Sequence, residues 1–449
     1  MERNTVFVVH AIDTEGPLYE SIRANFERVY EIFGHEVEPS KSNLEKLQAG
    51  DLSLDGDEEK IARVLSGKRI QTNGDWQQIT TMLDRITSDE FRTRVKDSTG
   101  AGWIYNWLCM SHVGFTGENP RRRDIGYHNI MDAYNEYFDQ KDDDRDLIGW
   151  HYHPLSLTND AHRCGSTYLN SDHIYSILCR YIIDRNWFPS VFRAGHVTQR
   201  PDSHFFLEQW IPFDFSNSSH EDQSESYSST ARFGDWSRAS RSWIPYQPHH
   251  DDYQSSGNCR RYIARCLPID ERAYTITSED VAQAFSEAQQ HGASILSVTN
   301  HDFRDMQPDV EKVMDLLKTC SSDYPDVDFR YARATDAMRA VTGLDDISAP
   351  GLTLSLDDAR THMQLNVESA NGVFGPQPFL AIKTRMNTYH WQNLDFEGDK
   401  QWSYSFDAHN ITIEQVDKIG IAANTSTGVT EVVTLDASTG RQKKKVLHN

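Results

Sequence analysis

The sequence predicts an α/β domain followed by an all-β domain, and two observations carry this prediction. Over roughly the first 345 residues, short apolar runs alternate with segments of helical periodicity. After about residue 345 the helical period disappears, and strand-like runs such as LTLSL, MQLNVE and FLAIKTR are separated by turn residues. We therefore divide the 449 residues into a domain of residues 1–345 and a β-sandwich of residues 346–449.

The first predicted strand comprises residues 6–12, with the sequence VFVVHAI. It is short and rich in β-branched residues, and it ends at an acidic turn that contains Gly16 and Pro17. Similar apolar stretches predict further strands at residues 103–110, 147–153, 191–194 and 295–298. Polar residues follow several of these strands directly, so we expect side chains from different parts of the chain to meet at the strand ends.

Helices are predicted between these strands. The clearest spans residues 278–290, with Thr277 and Ser278 as N-terminal caps and Gly292 as the stop. Apolar residues at helical spacing indicate two more helices, around residues 174–182 and 310–317. Each of these helices lies next to a predicted strand, which supports the α/β assignment.

Two long polar stretches interrupt the first domain. Residues 18–102 are interpreted as an insertion or lid, because they are acidic, have helical character at residues 76–86 and contain no polar cluster typical of catalysis. Residues 216–254 are rich in Ser, Asp and aromatic residues. Long segments of this kind are often functional, so we expect both to shape a substrate site.

The formal net charge of -22 excludes nucleic acids and anionic membranes as expected partners, because an acidic surface repels phosphate. A neutral or cationic substrate fits better. No long apolar run predicts a membrane span, and the N-terminal apolar run lacks the features of a signal peptide, so we expect a cytoplasmic protein. The oligomeric state is not predicted.

The cysteines contain no C-x-x-C pair, which indicates reduced thiols rather than a disulfide frame or a zinc knuckle. They are Cys109, Cys164, Cys179, Cys259, Cys266 and Cys320.

Two pairs of polar residues follow predicted strands at a spacing that suits metal binding. Asp13 and Glu15 are two residues apart, as are His151 and His153, so in an extended backbone each pair points to one side. Two histidines and one carboxylate form the ligand set that leaves one zinc coordination position open. An isolated acidic pair is more often a solvated turn, but the two pairs together favour a metal site.

Two single residues at strand ends are also candidates. Arg193 lies in FRAGH, and a buried arginine needs an anionic partner, either a catalytic carboxylate or a structural salt bridge. His301 lies in VTNHD and can give or take a proton near neutral pH, although an ordinary loop histidine would look the same.

The order of these motifs resembles the polysaccharide deacetylase family, also called NodB-like or carbohydrate esterase family four. The shared order is an acidic pair after the first strand, a histidine pair followed by proline, an arginine-glycine motif, an aspartate and a late histidine, over roughly residues 5–340. The resemblance implies a distorted (β/α) barrel for the first domain. It also implies a divalent metal, most often zinc, that serves in removing acetyl groups from N-acetylated sugars.

The resemblance assigns a role to each motif. It makes Asp13 the catalytic base and Arg193 the residue that orients this base. It makes Glu15, His151 and His153 the metal ligands.

The resemblance assigns roles to the later motifs in the same way. His301 resembles the general acid, and Asp214, in FDFS, resembles the aspartate that tunes it.

The chain departs from the family in two places. The family's carboxylate ligand is usually an aspartate adjacent to the base, whereas Glu15 lies two residues on. The family's histidines are separated by three residues, whereas only Tyr152 separates them here.

We therefore expect a metal-dependent hydrolase that removes an N-acetyl group from an amino sugar or saccharide. Two alternatives stay open: a deformylase or other amide hydrolase of the same fold, and a non-catalytic carbohydrate-binding protein. Some aromatic residues are candidates for stacking on a sugar ring, with core packing as the alternative. They are Trp210 and Trp236 in the first domain and Tyr389, Trp391 and Trp402 in the second.

Overall fold

The computed structural model describes residues 3–111, 128–154, 168–169, 172–220, 234–271, 274–358 and 362–448. Cys164 lies outside these residues, as do residues 221–233 of the 216–254 stretch. The remaining cysteines are buried free thiols. Within the described part of the chain, no helix combines the length and apolar character that a membrane crossing requires.

Most strands of the first 345 residues belong to one parallel sheet. They are β1 (Asn4–Thr14), β2 (Tyr105–Ser111), β3 (Leu147–Tyr152), β4 (Val191–Ala194), β5 (Phe213–Asn217), β6 (Pro248–His249), β7 (Asp252–Ser256), β8 (Tyr262–Pro268), β9 (Ala293–Thr299) and β10 (Val327–Tyr331). Seven of them close into a barrel in the order β1-β2-β3-β4-β5-β8-β9, because β1 pairs with both β2 and β9. Strand β10 pairs with the first half of β1, and β6 and β7 form a separate hairpin.

The barrel strands are apolar because both of their faces are covered. Strands β2, β4 and β5 are buried at every position, as expected for parallel strands that lie between the barrel interior and outer helices. Strands β1, β2, β3, β4 and β9 correspond to the predicted strands. Strands β5, β8 and β10 are additional to the prediction.

Helices connect the strands. They are α1 (Ile22–Phe33), α2 (Lys41–Ala49), α3 (Glu58–Val64), α4 (Gly67–Ile70), α5 (Trp76–Ile86), α6 (Asp89–Arg92), α7 (Asn129–Lys141), α8 (His173–Arg185), α9 (Pro201–Trp210), α10 (Ser278–His291), α11 (Gln307–Asp323) and α12 (Ala334–Thr342). The three predicted helices correspond to α8, α10 and α11. Helix α10 begins at a capping box, in which Thr277 and Asp280 each accept the backbone N–H of the other.

The segment between β1 and β2 contains helices α1 to α6. Helices α1 to α3 share a small apolar core of their own. The segment is fastened to the loop after β9 through Asn73: its amide side chain donates to the carbonyls of Asp302 (2.9 Å) and Arg304 (3.2 Å), and its backbone N–H donates to Phe303 (2.7 Å). The predicted insertion therefore touches one edge of the barrel mouth.

The regular structure described after α12 is almost entirely β-strand, in agreement with the change of character near residue 345. Its strands are β11 (Leu352–Asp358), β12 (Met363–Ser369), β13 (Phe379–Thr384), β14 (Tyr389–Gln392), β15 (Asp395–Gly398), β16 (Gln401–Phe406), β17 (Val416–Asn424), β18 (Thr430–Asp436) and β19 (Gln442–Leu447). They form two antiparallel sheets, β11-β12-β16-β15 and β14-β13-β17-β18-β19, which enclose a common apolar core. The domain boundary itself stays a prediction.

The five-stranded sheet packs against α8 of the barrel. Trp391 stacks on Tyr175 with ring centroids 4.2 Å apart, and the hydroxyl of Tyr389 donates to Asp184 (2.6 Å). Trp402 is buried in the core between the two sheets. These three aromatic candidates for sugar stacking thus take part in packing.

Candidate metal and catalytic site

The predicted site residues lie at the carboxyl ends of the barrel strands. Asp13 belongs to β1 and Glu15 follows it, while His151 belongs to β3 and His153 follows it. Arg193 belongs to β4. Because the parallel strands of a barrel end at the same rim, these separate segments of sequence meet there.

Glu15, His151 and His153 form a buried cluster that fits a metal ion. The two histidine Nε2 atoms lie 3.1 Å apart, and Glu15 Oε1 lies 3.2 Å from His153 Nε2 and 3.6 Å from His151 Nε2. All three side chains are less than 9% exposed. Two imidazoles and a carboxylate that converge in this way offer the donor set typical of zinc.

The second nitrogen of His151 explains why its Nε2 is available as a ligand. His151 Nδ1 lies 3.0 Å from the carbonyl oxygen of Arg193. A carbonyl only accepts, so Nδ1 carries the proton and neutral His151 has its lone pair on Nε2. This backbone contact also fixes the orientation of the ring.

Asp13 lies beside this cluster and is held by Arg193. The Nε of Arg193 donates to Asp13 Oδ1 (2.7 Å), and Nη1 donates to the carbonyl of Phe215 (2.6 Å). Burial lowers the pKa of the Arg193 guanidinium, but the charges of Asp13, Cys266 and Glu271 and the hydrogen bond to Asp13 together outweigh this, so the pKa lies above its ordinary value. Arg193 therefore stays charged and orients the carboxylate.

His301 lies on the other side of Asp13 and is held by Glu271. Glu271 Oε1 is 2.9 Å from His301 Nδ1, while His301 Nε2 lies 3.9 Å from Asp13 Oδ2 and 3.8 Å from Glu15 Oε1. Burial lowers the pKa of His301, but the charge and hydrogen bond of Glu271, together with the charges of Glu15 and Asp13, outweigh this and raise the pKa to about 9. His301 is thus a protonated imidazolium near neutral pH in the metal-free protein.

Glu271 is a site residue that the sequence analysis does not identify. It follows β8, a strand that is itself absent from the prediction, so its position at the barrel rim is not evident from the local pattern. The available signal is the run of residues 262–269, which is apolar apart from Arg265 and is followed by the adjacent acids Asp270 and Glu271. Acidic residues likewise come at the end of the apolar run of β1.

Asp302 supports the turn that carries Glu15. Its carboxylate accepts the backbone N–H groups of Glu15 (2.8 Å) and Gly16 (3.0 Å) and the hydroxyl of Tyr134 (2.8 Å). Burial raises the pKa of Asp302 to about 6. The residue after His301 therefore ties the end of β9 to the end of β1.

Asp214 is in a different place from the predicted one. It accepts hydrogen bonds from Gln199 Nε2 (2.7 Å) and the backbone N–H of Ser216 (2.9 Å), and it lies 3.6 Å from the buried Arg261. Glu271, and not Asp214, is the acid that pairs with His301 Nδ1. The prediction that Asp214 lies next to His301 is therefore corrected. Asp214 belongs to a buried polar network at β5.

The two tryptophans suggested for the sugar site are also buried. Trp210 packs against Phe379 of the five-stranded sheet, with ring centroids 5.2 Å apart. Trp236 is fully buried and packs against Tyr253. Neither indole has an open face for stacking on a sugar ring.

Seven side chains thus form one candidate site, in which a cluster that could hold a metal ion lies beside a group of paired ionisable residues. The cluster contains Glu15, His151 and His153, and the group of ionisable residues contains Asp13, Arg193, His301 and Glu271. Carboxylate, imidazole and guanidinium groups in this arrangement are able to bind a cation and transfer protons. No protein-family model, curated protein or solved structure matches this chain.

Proposed function

We propose that this protein is a metal-dependent hydrolase that removes an N-acetyl group from an amino sugar or saccharide, on a distorted barrel of the polysaccharide-deacetylase type. The observation that carries the proposal is the convergence of Glu15, His151 and His153 within 4.8 Å of one another, beside an oriented carboxylate and an imidazolium. The order of motifs along the chain supports the substrate class.

Glu15, His151 and His153 would hold the cation, for which zinc is the best fit. When bound, such a cation supplies Lewis-acid chemistry, which polarises a carbonyl group and lowers the pKa of water. The protein contributes the geometry, because β1 and β3 each present their ligands from a strand end.

Asp13 acts as the base. Its Oδ1 is occupied by Arg193 Nε, so Oδ2 is the oxygen that takes the proton of the attacking water. His301 acts as the acid: Nδ1 is held by Glu271, and Nε2 gives its proton to the nitrogen of the amide as the C–N bond breaks. A carboxylate and a free amine leave.

The experiment that tests the proposal is elemental analysis of the purified wild type and of the His151→Ala/His153→Ala double variant. We expect about one zinc or similar ion per chain in the wild type and its loss in the variant, together with loss of amide hydrolysis. The matched control is His250→Ala/His291→Ala, in which two exposed histidines are replaced and the metal content stays unchanged.

A second variant separates metal binding from catalysis. Asp13→Asn removes the base but no ligand, so it keeps the metal and loses turnover. Acetylated and formylated amino sugars are assayed for released acetate and formate, which distinguishes a deacetylase from a deformylase. A wild type that holds metal but hydrolyses neither class would instead support the non-catalytic carbohydrate-binding protein.

A further inference from the structure

The turn that follows Arg193 has an unusual backbone. His196 and Val197 have φ values of 51° and 47°, in the left-handed region of the backbone that residues other than glycine rarely adopt. The conformation is least favourable for Val197, because its side chain is β-branched. Such strain persists only where surrounding contacts hold the backbone in place.

One side of this turn lies directly against the metal ligand His153. A Cβ atom on Gly195 would lie 2.4 Å from Cγ, 2.5 Å from Cδ2 and 2.6 Å from Nδ1 of His153. The ring of His196 meets the ring of His153 edge to face, with centroids 4.8 Å apart and an interplanar angle of 88°. The imidazole of His153 is therefore packed between Gly195 and His196.

The other side of the turn is held by a segment that is distant in sequence. Trp236 Nε1 donates to the carbonyl of Val197 (2.8 Å), and the backbone N–H of Gly234 donates to the carbonyl of His196 (3.1 Å). A Cβ atom on Gly234 would lie 1.8 Å from the carbonyl oxygen of Val197. Gly234 and Trp236 thus hold the turn on the side away from His153. The backbone of the turn cannot move to a more favourable conformation without displacing these two residues.

We infer that the Gly195–Val197 turn is a positioning element for the metal ligand His153, and that Trp236 is the residue that locks it. Trp236 acts through the turn, and neither Gly195 nor Trp236 belongs to the donor cluster itself. The inference rests on the metal role proposed above for His153. Groups that orient a metal ligand typically change metal affinity 10–100-fold when they are altered.

The test is a competitive titration of Zn²⁺ against a chelator, which gives the dissociation constant without any assay of activity. Trp236→Phe removes the indole N–H but keeps the aromatic packing, and we expect about a 10-fold weaker affinity for Zn²⁺. The matched control is Trp243→Phe. Trp243 is equally buried and donates to the carbonyl of Asp280 (2.9 Å), so this variant loses a comparable hydrogen bond and keeps the wild-type affinity.

A second variant acts on the side of the turn that faces the ligand. In Gly195→Ala the added methyl group overlaps the ring of His153, so we expect about a 100-fold weaker affinity for Zn²⁺. The metal-free thermal unfolding curve of each variant is recorded, and Trp236→Phe carries the test if Gly195→Ala does not fold.

The possible failures are distinguishable. A wild type that binds neither Zn²⁺ nor Co²⁺ contradicts the proposed function itself. A wild type that binds Zn²⁺ while Trp236→Phe binds it as tightly contradicts only the positioning role. Equal weakening in Trp236→Phe and Trp243→Phe also overturns the inference, because the effect would then come from general loss of stability.

Discussion

Several side chains at this site have two polar atoms, of which one is held by a fixed neighbour and the other points into the site. Asp13 presents one oxygen to Arg193 and keeps the other towards His301. His301 presents Nδ1 to Glu271 and keeps Nε2 towards Asp13 and Glu15. The Nδ1 of His151 is held by a backbone carbonyl, which leaves Nε2 directed at His153 and Glu15. In each case a fixed neighbour holds one atom of the side chain, and the other atom faces the candidate metal site.

Glu271 is the residue whose charge is expected to keep His301 protonated. In the metal-free protein, Glu271→Gln removes the largest of the contributions that raise the pKa of His301 to about 9, so we expect this pKa to fall below its wild-type value. NMR titration of the His301 ring protons measures the change.

The neighbouring Asp270 provides the control for this titration. Its carboxylate accepts a hydrogen bond from Thr275, and Asp270→Asn leaves the pKa of His301 near its wild-type value. A pKa that stays near 9 in Glu271→Gln would show that the contact with Glu271 is not its cause.

At the scale of elements, the sequence predicts those features that depend on local spacing. The D-x-E and H-x-H pairs are recognisable because residues two apart in a strand share a side whatever the rest of the chain does. Strand β8 was not predicted because Arg265 interrupts its apolar run, and only the folded structure shows that Asp280 and the ring of Trp243 accommodate this charge. Because β8 is not predicted, Glu271 is not recognised as a residue at the end of a strand. The partners of Asp214 depend on distances between segments, which the spacing of residues along the sequence does not provide.

Helix α6 is fastened to the barrel by a buried ion pair. Arg92 donates to both oxygens of Asp146 (2.7 and 2.8 Å), and Asp146 also accepts from the indole of Trp107 (3.0 Å). Arg92→Met leaves the carboxylate of Asp146 buried without its cation, so we expect a loss of about 3–5 kcal/mol in the free energy of unfolding. Urea denaturation measures this loss.

An exposed arginine serves as the comparison for Arg92. Arg145 pairs with Asp89 and Asp143 near the surface, where water screens the charges, and Arg145→Met is expected to change the free energy of unfolding by less than about 1 kcal/mol. Equal effects of the two substitutions would mean that burial does not make the Arg92 pair important.

The whole molecule is held together across the boundary between barrel and sheets. Helix α8 belongs to the barrel, yet its outer face packs against the five-stranded sheet through the contact of Tyr175 with Trp391. Phe379 and Val432 of the sheet belong to the same apolar core as the barrel helices. We therefore expect the barrel and the sheets to unfold together, although their sequence patterns are clearly separate.

Buried histidines in several parts of the molecule make it sensitive to acid. Burial lowers the pKa of His10 and His204 to about 4 and that of His128 to about 3. The unfolded chain binds these protons below pH 6.5 and the folded protein does not, so stability is lost as the pH falls from 6.5 towards 4. Each histidine contributes up to about 1.4 kcal/mol per pH unit.

Urea denaturation of the metal-free protein at pH 7, 6 and 5 measures this loss. His10 is fully buried between Asn300 and Trp103, and His10→Gln is expected to make the fall in the free energy of unfolding less steep. His291→Gln, which replaces an exposed histidine, leaves the slope unchanged. A slope that is the same in His10→Gln and the wild type would refute the role of His10.

The closure of the barrel has a consequence for the order of events during synthesis. Strand β1 is made before the other barrel strands, but it pairs with β9 only when Ala293 arrives opposite Thr5, and with β10 only when Val327 arrives opposite Asn4. At roughly 5–20 residues per second, the ribosome needs tens of seconds to reach these partners. Throughout this interval the nascent chain carries β1 as an apolar strand with an open edge, so we expect β1 to be the barrel strand most in need of a chaperone.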